Sequence, residues 1–204
     1  YKTEHPFDLT LSEEQKMTWD MLRKFAETEL RPQARKAESN GRPSDELLEK
    51  IKSLDLISLI IPEAYGGMGL KQDSVSNALT LEALAYGDLS LAMSVSVPLL
   101  TAQIIAEHGS EEQQAELLPE LANGSIFHVG LGINNALLAT NPYQSSVLAN
   151  ESGEEIILNG SKTGIAFADE AKTFLISASN ESGECNLYFV HKDQDGVELE
   201  EKEF

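Results

Sequence analysis

With a single cysteine among its 204 residues, the chain cannot close an internal disulfide, which fits a reducing compartment. That residue, Cys185, follows Glu181-Ser182-Gly183-Glu184, an acidic stretch with no adjacent cation to lower a thiol pKa, so it is a poor nucleophile. No run of 18 apolar residues occurs, and Tyr1-Lys2-Thr3-Glu4-His5 opens no hydrophobic signal core. Neither a membrane span nor a secretory signal is therefore expected. The expected location is cytoplasmic, or the mitochondrial matrix for a eukaryotic chain whose transit peptide has been removed. The first residue is not Met, as in a processed or excised piece of something longer. Without a secretion signal, the Asn-x-Ser sequences at Asn123, Asn150, Asn159 and Asn180 read as turn composition rather than glycosylation acceptors.

Positive charge is also scarce: 15 Lys and Arg stand against 34 Asp and Glu, a net of −19. Phosphate backbones need clustered cations, so no nucleic-acid partner is expected. The excess is uneven, with a net of −2 over residues 1–50 and −17 over residues 51–204. Between Lys71 and Lys162 there is no Lys or Arg at all. An anionic ligand held by this stretch must be gripped by backbone N–H groups, hydroxyls and amides, or by cations from elsewhere. Hydrophobic residues make up 41% of the chain, enough for a folded core despite the charge.

Up to about Gly124 the pattern is helical. Ser12-Glu13-Glu14-Gln15 is a capping-box start, and Trp19, Leu22, Phe25, Ala26 and Leu30 recur on one helical stripe. Pro32 falls inside this run and is expected to kink the helix rather than end it. Ser44 caps a second helix carrying Leu47, Leu48, Ile51 and Leu54, and the apolar run from Ile57 to Ile61 ends at Pro62 before a loop with glycines 66, 67 and 69. A third helix is predicted from about Asp73 to Tyr86, with Val75, Ala78, Leu79, Glu82 and Ala85 as its repeat. The apolar stretch from Leu89 to His108 reads as two segments, the second opening near Pro98. Ser110-Glu111-Glu112-Gln113 starts another helix, and His108 before it reads as a packing or helix-end residue rather than a base.

After Gly124 the period changes to that of strands. Segments Phe127 to Ile133, Ser146 to Ala149, Glu155 to Leu158, Lys172 to Ala178 and Asn186 to His191 are β-branched or alternating, and Asn159-Gly160 is the strongest hairpin signal. The expected fold class is α+β: an all-helical N-terminal domain followed by the first strands of a β-barrel-like middle domain.

Several chemistries have no motif here: Gly-x-Ser-x-Gly, His-Glu-x-x-His, a zinc-binding Cys pair and a P-loop are all missing. Gly67-Met68-Gly69 has Gln72 where a dinucleotide fingerprint needs its third glycine, and reads as a loop needing positive φ. His5, His108, His128 and His191 show no ligand spacing, so no metal is expected.

Three stretches, in order, resemble the acyl-CoA dehydrogenase family. Ile61-Pro62-Glu63-Ala64-Tyr65-Gly66-Gly67-Met68-Gly69 is similar to the family's Pro-Glu-x-Tyr-Gly-Gly-x-Gly loop. His108-Gly109-Ser110-Glu111-Glu112-Gln113 with Leu118-Pro119-Glu120-Leu121-Ala122-Asn123-Gly124 resembles its Gly-(Ser/Thr)-Glu-Glu-Gln … Leu-Pro-x-Leu-Ala-x-Gly segment. Leu158-Asn159-Gly160-Ser161-Lys162, followed by Ala171-Lys172-Thr173-Phe174-Leu175-Ile176, resembles its Leu-Asn-Gly-x-Lys hairpin and following strand. The resemblance implies an N-terminal helical domain over residues 1–124, a partial middle β domain over 125–204, and no C-terminal helical domain in this chain.

What the resemblance implies chemically is α,β-dehydrogenation of an acyl-CoA thioester, with a carboxylate taking the α-proton and FAD the β-hydride. The base belongs to the family's third domain and is expected beyond Phe204. Counting back without gaps from the hairpin, the family's Leu-Thr-Glu-Pro falls on Ile133-Asn134-Asn135-Ala136, and its Gly-Ser-Asp on Ala139-Thr140-Asn141. Its Trp-Ile-Thr falls on Gly164-Ile165-Ala166. The implied cofactor residues are Leu131, Ile133, Asn134, Thr140, Ile165 and Ala166, with Thr140 also on the substrate side. Gly164 and Ala166 lack the ring and hydroxyl of the family pattern, a loss of about 2–4 kcal/mol in side-chain contacts to the flavin. Main-chain contacts of residues 131–134 and 164–166 remain available.

Two readings stay open: a flavin-dependent acyl-CoA dehydrogenase, and a family-derived subunit that has lost its flavin site and serves as a structural partner. The family's habit implies a homo-oligomer or a family heteromer. Positive charge for the FAD and CoA phosphates must come from Lys162, from the missing C-terminal region or from a neighbouring subunit. An open β domain ending near residue 204 is expected to leave unpaired, aggregation-prone strand edges.

Overall fold

Ser12 opens the first helix as its motif requires. In the computed structural model, which describes residues 10–70, 73–135, 144–153 and 155–200, Gln15 N–H donates to Ser12 Oγ at 3.1 Å and Ser12 N–H donates to Gln15 Oε1 at 3.0 Å. Helix α1 runs Glu13–Phe25, and Leu22, Ala26 and Leu30 form the fully buried part of its stripe. Pro32 does not end the run. A π-helical turn over Ala26–Leu30 carries it into α2, Arg31–Asn40, with Arg31 N–H donating to Ala26 O and Pro32 in the first turn of α2. The shift to i→i−5 bonding takes up the strain of a residue that cannot donate.

The described residues fall into two compact units. The first comprises Tyr1–Leu54 and Lys71–Ser96. It holds α1, α2, α3 (Asp45–Lys52, capped by Ser44) and α5 (Ser74–Ala85, capped by Asp73). The buried face of α5 differs from the expected one: Thr80, Ala83 and Leu84 are buried, whereas Val75, Ala78 and Glu82 are exposed. This helix is apolar on nearly every side, so periodicity could not choose its inner face. Packing against α1 instead chose the face that carries Thr80, Ala83 and Leu84.

Helix α6, Leu89–His108, passes through both units as one element, where two segments were expected. Pro98 removes only the bond to the Ser94 carbonyl, a penalty of about 3 kcal/mol. Buried Leu91, Ala92, Val95, Leu99, Ala102 and Ile105 on either side of it more than offset that loss. By length and composition α6 is apolar enough to cross a bilayer, but half of its most apolar window is buried within the protein, as in a core helix. His108 is its last residue and lies exposed, so of the two roles expected for it only the helix-end position is found.

The second unit comprises Asp55–Leu70 and Val97–Phe204. Short helix α4 (Leu56–Ile60) and α7 (Glu111–Ala122, with the Ser110–Gln113 capping box) contribute Leu56, Ile57, Leu117, Leu118 and Leu121 to its core. The glycine loop folds back along α4: Met68 N–H donates to Ser58 O, Gly69 N–H to Ile61 O and Leu70 N–H to Leu59 O. These donors are therefore spent on the protein itself, as a structural loop requires.

Five strands form a mixed sheet: β1 Val129–Gly132, β2 Leu148–Ser152, β3 Glu155–Asn159, β4 Thr173–Ser179 and β5 Cys185–His191. Buried β4 is central. It runs parallel to β1 (Val129↔Thr173 to Gly132↔Ile176) and antiparallel to β5 over its whole length, and it meets β2 only at Leu148↔Ser179. The β2–β3 hairpin turns between Ser152 and Glu155, not at Asn159-Gly160 as expected. Asn159 instead closes β3 opposite Leu148. Gly160 serves close approach, since a Cβ there would stand 2.7 Å from Ser146 O and 2.8 Å from Val147 Cα. The helix-then-strand order of the sequence holds.

Candidate functional site

The two chain segments assigned to the cofactor meet at the end of β1. Asn135 forms an antiparallel bridge with Lys162, and Thr163 N–H donates to Asn134 O at 3.3 Å. Ile133 and Asn134 are exposed beside Gly164, which has φ 66°, a conformation that favours glycine. A Cβ on Gly164 would lie 3.6 Å from Asn134 Nδ2, in ordinary contact, so the Asn134 amide borders the space a side chain at 164 would enter.

Ile165 turns the other way. Its Cγ2 and Cδ1 lie within about 3 Å of where Gly130 and Gly132 would carry a Cβ, so the two glycines of β1 leave the room that its side chain fills. Side chains alternate along a strand, so Leu131, between them, faces the opposite side of the sheet. The structure thus joins Ile133, Asn134 and the half-buried Ala166 segment, places Ile165 against β1, and separates the Leu131 side chain from Ile165. Thr140 lies outside the described residues, as do Ala136, Ala139 and Asn141.

Beneath these segments is a polar cluster that sequence reasoning did not single out. The Lys162 ammonium donates to Ser145 Oγ and Ser177 Oγ, each at 2.8 Å, to Asn135 Oδ1 at 2.9 Å and to Ile133 O at 3.2 Å. Asn135 Oδ1 also accepts from Ser146 N–H at 3.0 Å and Ser146 Oγ at 3.2 Å, while its Nδ2 donates to Gln144 O at 2.9 Å. Ser145 Oγ donates to Ser177 O at 2.7 Å, and Ser145 N–H donates to Ser179 Oγ at 3.0 Å. All four acceptors of the ammonium are neutral. Burial pushes its pKa below the ordinary lysine value, with only the charge of Cys185 pulling the other way. Its three protons are committed to protein acceptors, so Lys162 offers no free hydrogen bond to a ligand phosphate.

Past Ala166 the chain enters a strained turn. Phe167 has φ 55°, unusual for a bulky residue, and its carbonyl accepts from the N–H groups of Glu170 and Ala171. The sequence signal for this turn is an aromatic residue standing three residues after a glycine.

His128 lies mostly buried, with Nδ1 4.0 Å from Glu120 Oε2. Burial pushes its imidazole pKa down, against the pull of Glu120 and with that of Lys172. It is a packed residue before β1, and among the described residues no hydrogen bond or ion pair brings it to the paired segments 133–135 and 162–166.

A helical first half followed by a sheet, with glycine-rich and Asn-Gly segments at these positions, defines a class that sequence comparison names. Residues 12–125 match the model of the acyl-CoA dehydrogenase N-terminal domain, and the chain belongs to the acyl-CoA dehydrogenase family. It is 32% identical over 174 residues to a short-chain specific acyl-CoA dehydrogenase of Clostridium acetobutylicum, covering 84% of this chain and 45% of that protein. It is also similar to the crystal structure of a glutaryl-CoA dehydrogenase from Mycobacterium smegmatis in complex with FADH2, at 26% identity and a TM-score of 0.76, over 91% of this chain and 47% of that one. A structure of the electron transferring flavoprotein of Acidaminococcus fermentans matches at 28% identity and a TM-score of 0.72, over 93% of this chain and 50% of that one. The chain spans about half the length of the curated relatives it matches.

Proposed function

We propose that the chain is the N-terminal and partial middle region of an FAD-dependent acyl-CoA dehydrogenase. The observation that carries this reading is the bridge between Asn135 and Lys162, which sets Ile133 and Asn134 beside Gly164 although nearly thirty residues separate them in the chain. These are the segments that the family resemblance assigns to the flavin. A bound FAD would accept the β-hydride of an acyl-CoA thioester. Here Asn134 would offer its amide to the polar edge of the ring, and the main chain of residues 164–166 would line it. The Ile133 and Asn134 carbonyls take no part, being held by Lys162 and by Thr163 N–H. The base that removes the α-proton belongs to a region that the relatives possess and this chain does not span.

A cytoplasmic or mitochondrial-matrix enzyme, assembled as a homo-oligomer or with a related subunit, fits the single cysteine and the family. The test is the visible spectrum of the full-length protein, with turnover of an acyl-CoA in the presence of an electron acceptor. A flavin band near 450 nm with turnover supports the reading, and a colourless protein that gains no flavin on reconstitution overturns it.

One feature favours a second reading, a subunit without flavin acting as a structural partner. Gly164 and Ala166 supply neither ring nor hydroxyl, and the left-handed Gly164 is a poor host for a larger side chain. Co-purification of the colourless chain with a flavin-bearing relative would support it, and turnover by the chain's own full-length protein would exclude it.

A further inference from the structure

The resemblance to the family puts Glu where this chain has Asn135, in bonding range of a lysine ammonium. Here that acceptor is neutral, as are the other three, Ile133 O, Ser145 Oγ and Ser177 Oγ. The four come from three separate stretches of chain: the end of β1, the segment before β2, and β4. A lysine held by a carboxylate would draw its hold from one strong partner. Without one, the ammonium draws on all four acceptors at once, so each of the three stretches is tied to the others through a single nitrogen.

We propose that Lys162 is the positioning residue of the paired segments 133–135 and 162–166, the two walls of the candidate flavin site, a clasp that holds them to the segment before β2 and to β4 without touching the ligand. The proposal takes its ligand, FAD, from the reading above. The clasp itself is judged separately. The geometry supplies the reason for each contact: Ile133 O and Asn135 Oδ1 hold the first wall, Lys162 belongs to the second, and Ser145 and Ser177 anchor the ammonium to the segment before β2 and to β4. Ser177 Oγ also reaches Ile133 O at 3.4 Å, which closes the ring of contacts. Losing the ammonium would take away the donor these acceptors share and leave the walls joined by the Asn135–Lys162 bridge and the Thr163 N–H to Asn134 O bond, so they would loosen.

The test uses the full-length protein, with amide hydrogen exchange of residues 133–135 and 162–166 and, separately, FAD affinity measured by titration into the flavin-free protein. In Lys162→Met, exchange in both walls is expected to rise at least tenfold, while protection along β4 and β5 stays within twofold. FAD affinity is expected to fall at least tenfold. Should that variant fail to fold, Ser177→Ala and Asn135→Ala each remove one acceptor and are expected to speed exchange in the first wall three- to tenfold. Asn135→Glu supplies a charged acceptor and is expected to keep the first wall at least as protected as in the wild type, in contrast to Asn135→Ala. A positioning role thus shows in FAD affinity that falls together with protection of the two walls while protection along β4 and β5 is kept, a split that a loss of global stability would not give. Unchanged exchange in both walls of Lys162→Met, or of both alanine variants, overturns the clasp. If the wild type itself takes up no FAD, the flavin reading fails while the exchange result still decides the role of Lys162.

Discussion

The rings of Phe127 and Phe167 are stacked, with centroids 3.9 Å apart and planes 16° from parallel. Phe127 is buried just before β1, and Phe167 sits in the left-handed conformation just past Ala166, so the stack ties the end of the 162–166 segment to the start of β1. The strain at Phe167, of order 1–2 kcal/mol, persists because the ring contact and the turn that follows over-determine it. Phe127→Ala should destabilise the protein by about 3 kcal/mol, as large buried rings do on truncation. Phe167→Gly should cost less, because relief of the left-handed strain offsets part of the lost stacking. Urea unfolding midpoints of the two variants decide it, and a larger loss for Phe167→Gly would contradict this account.

Restoring the family's side chains one at a time should separate their roles. Ala166→Thr returns a hydroxyl at a position with no positive φ, and should strengthen FAD binding about two- to tenfold, the range for one hydrogen bond. Gly164→Trp should not, because a bulky residue at φ 66° costs about 1–2 kcal/mol and the Asn134 amide stands in its way. Flavin titrations on both variants check this, and a gain in affinity for Gly164→Trp would show that the loop can rearrange.

Ser110 closes a reciprocal capping box, donating its N–H to Gln113 Oε1 at 2.9 Å and accepting Gln113 N–H at 3.2 Å. Ser110→Ala should cost about 1 kcal/mol, read as a fall in the thermal midpoint, whereas Ser110→Asp should cost little because it keeps an acceptor at the cap.

His128 makes stability depend on mild acid. Burial holds its folded-state pKa below the unfolded value of 6.5, so its contribution is fully present above that value and is lost as the pH falls through the folded pKa. Thermal midpoints taken between pH 7.5 and pH 5 should fall less in His128→Gln than in the wild type. Equal slopes for the two proteins would remove His128 as the cause.

Edge strand β3 carries Ile156 and Ile157, both half-exposed, on opposite faces of the β2–β3 ribbon. The 204-residue piece should therefore self-associate, and a lysine at either position should reduce it, as sedimentation velocity would show. A monodisperse wild-type piece would contradict the expectation.

What the sequence made legible was local. Both capping boxes, the Ser44 cap, the break at Pro62, and the change from helical to strand period after Gly124 depend on neighbours a few residues away, and the structure keeps them. Three features depended on distant partners and were misread. Pro98 is carried through α6 by buried side chains on both sides, α5 buries Thr80, Ala83 and Leu84 rather than the expected repeat, and Gly160 answers to the backbone at Ser146 rather than to a turn. The candidate site divides in the same way. Ile133, Asn134 and Gly164 could be placed by counting along a family pattern. The clasp beneath them could not, since Lys162 reaches acceptors 15 to 29 residues away in both directions along the chain.

The scarcity of cations acquires a kinetic meaning once the hold on Lys162 is known. The second unit carries 20 acids and 4 bases, and the ammonium groups of two of those bases, Lys162 and Lys192, are already bonded within the protein. A dinucleotide or a coenzyme A ester approaching that unit meets a repulsive field, so its encounter should be slow in dilute buffer and quicken as added salt shortens the Debye length from about 30 Å at 0.01 M to about 8 Å at 0.15 M. Most enzymes of anionic ligands show the reverse trend, since they attract what they bind. A partner subunit that brought arginines to the cleft would invert the slope again, and the sign of the salt dependence would then report whether the chain meets its ligand alone or in company.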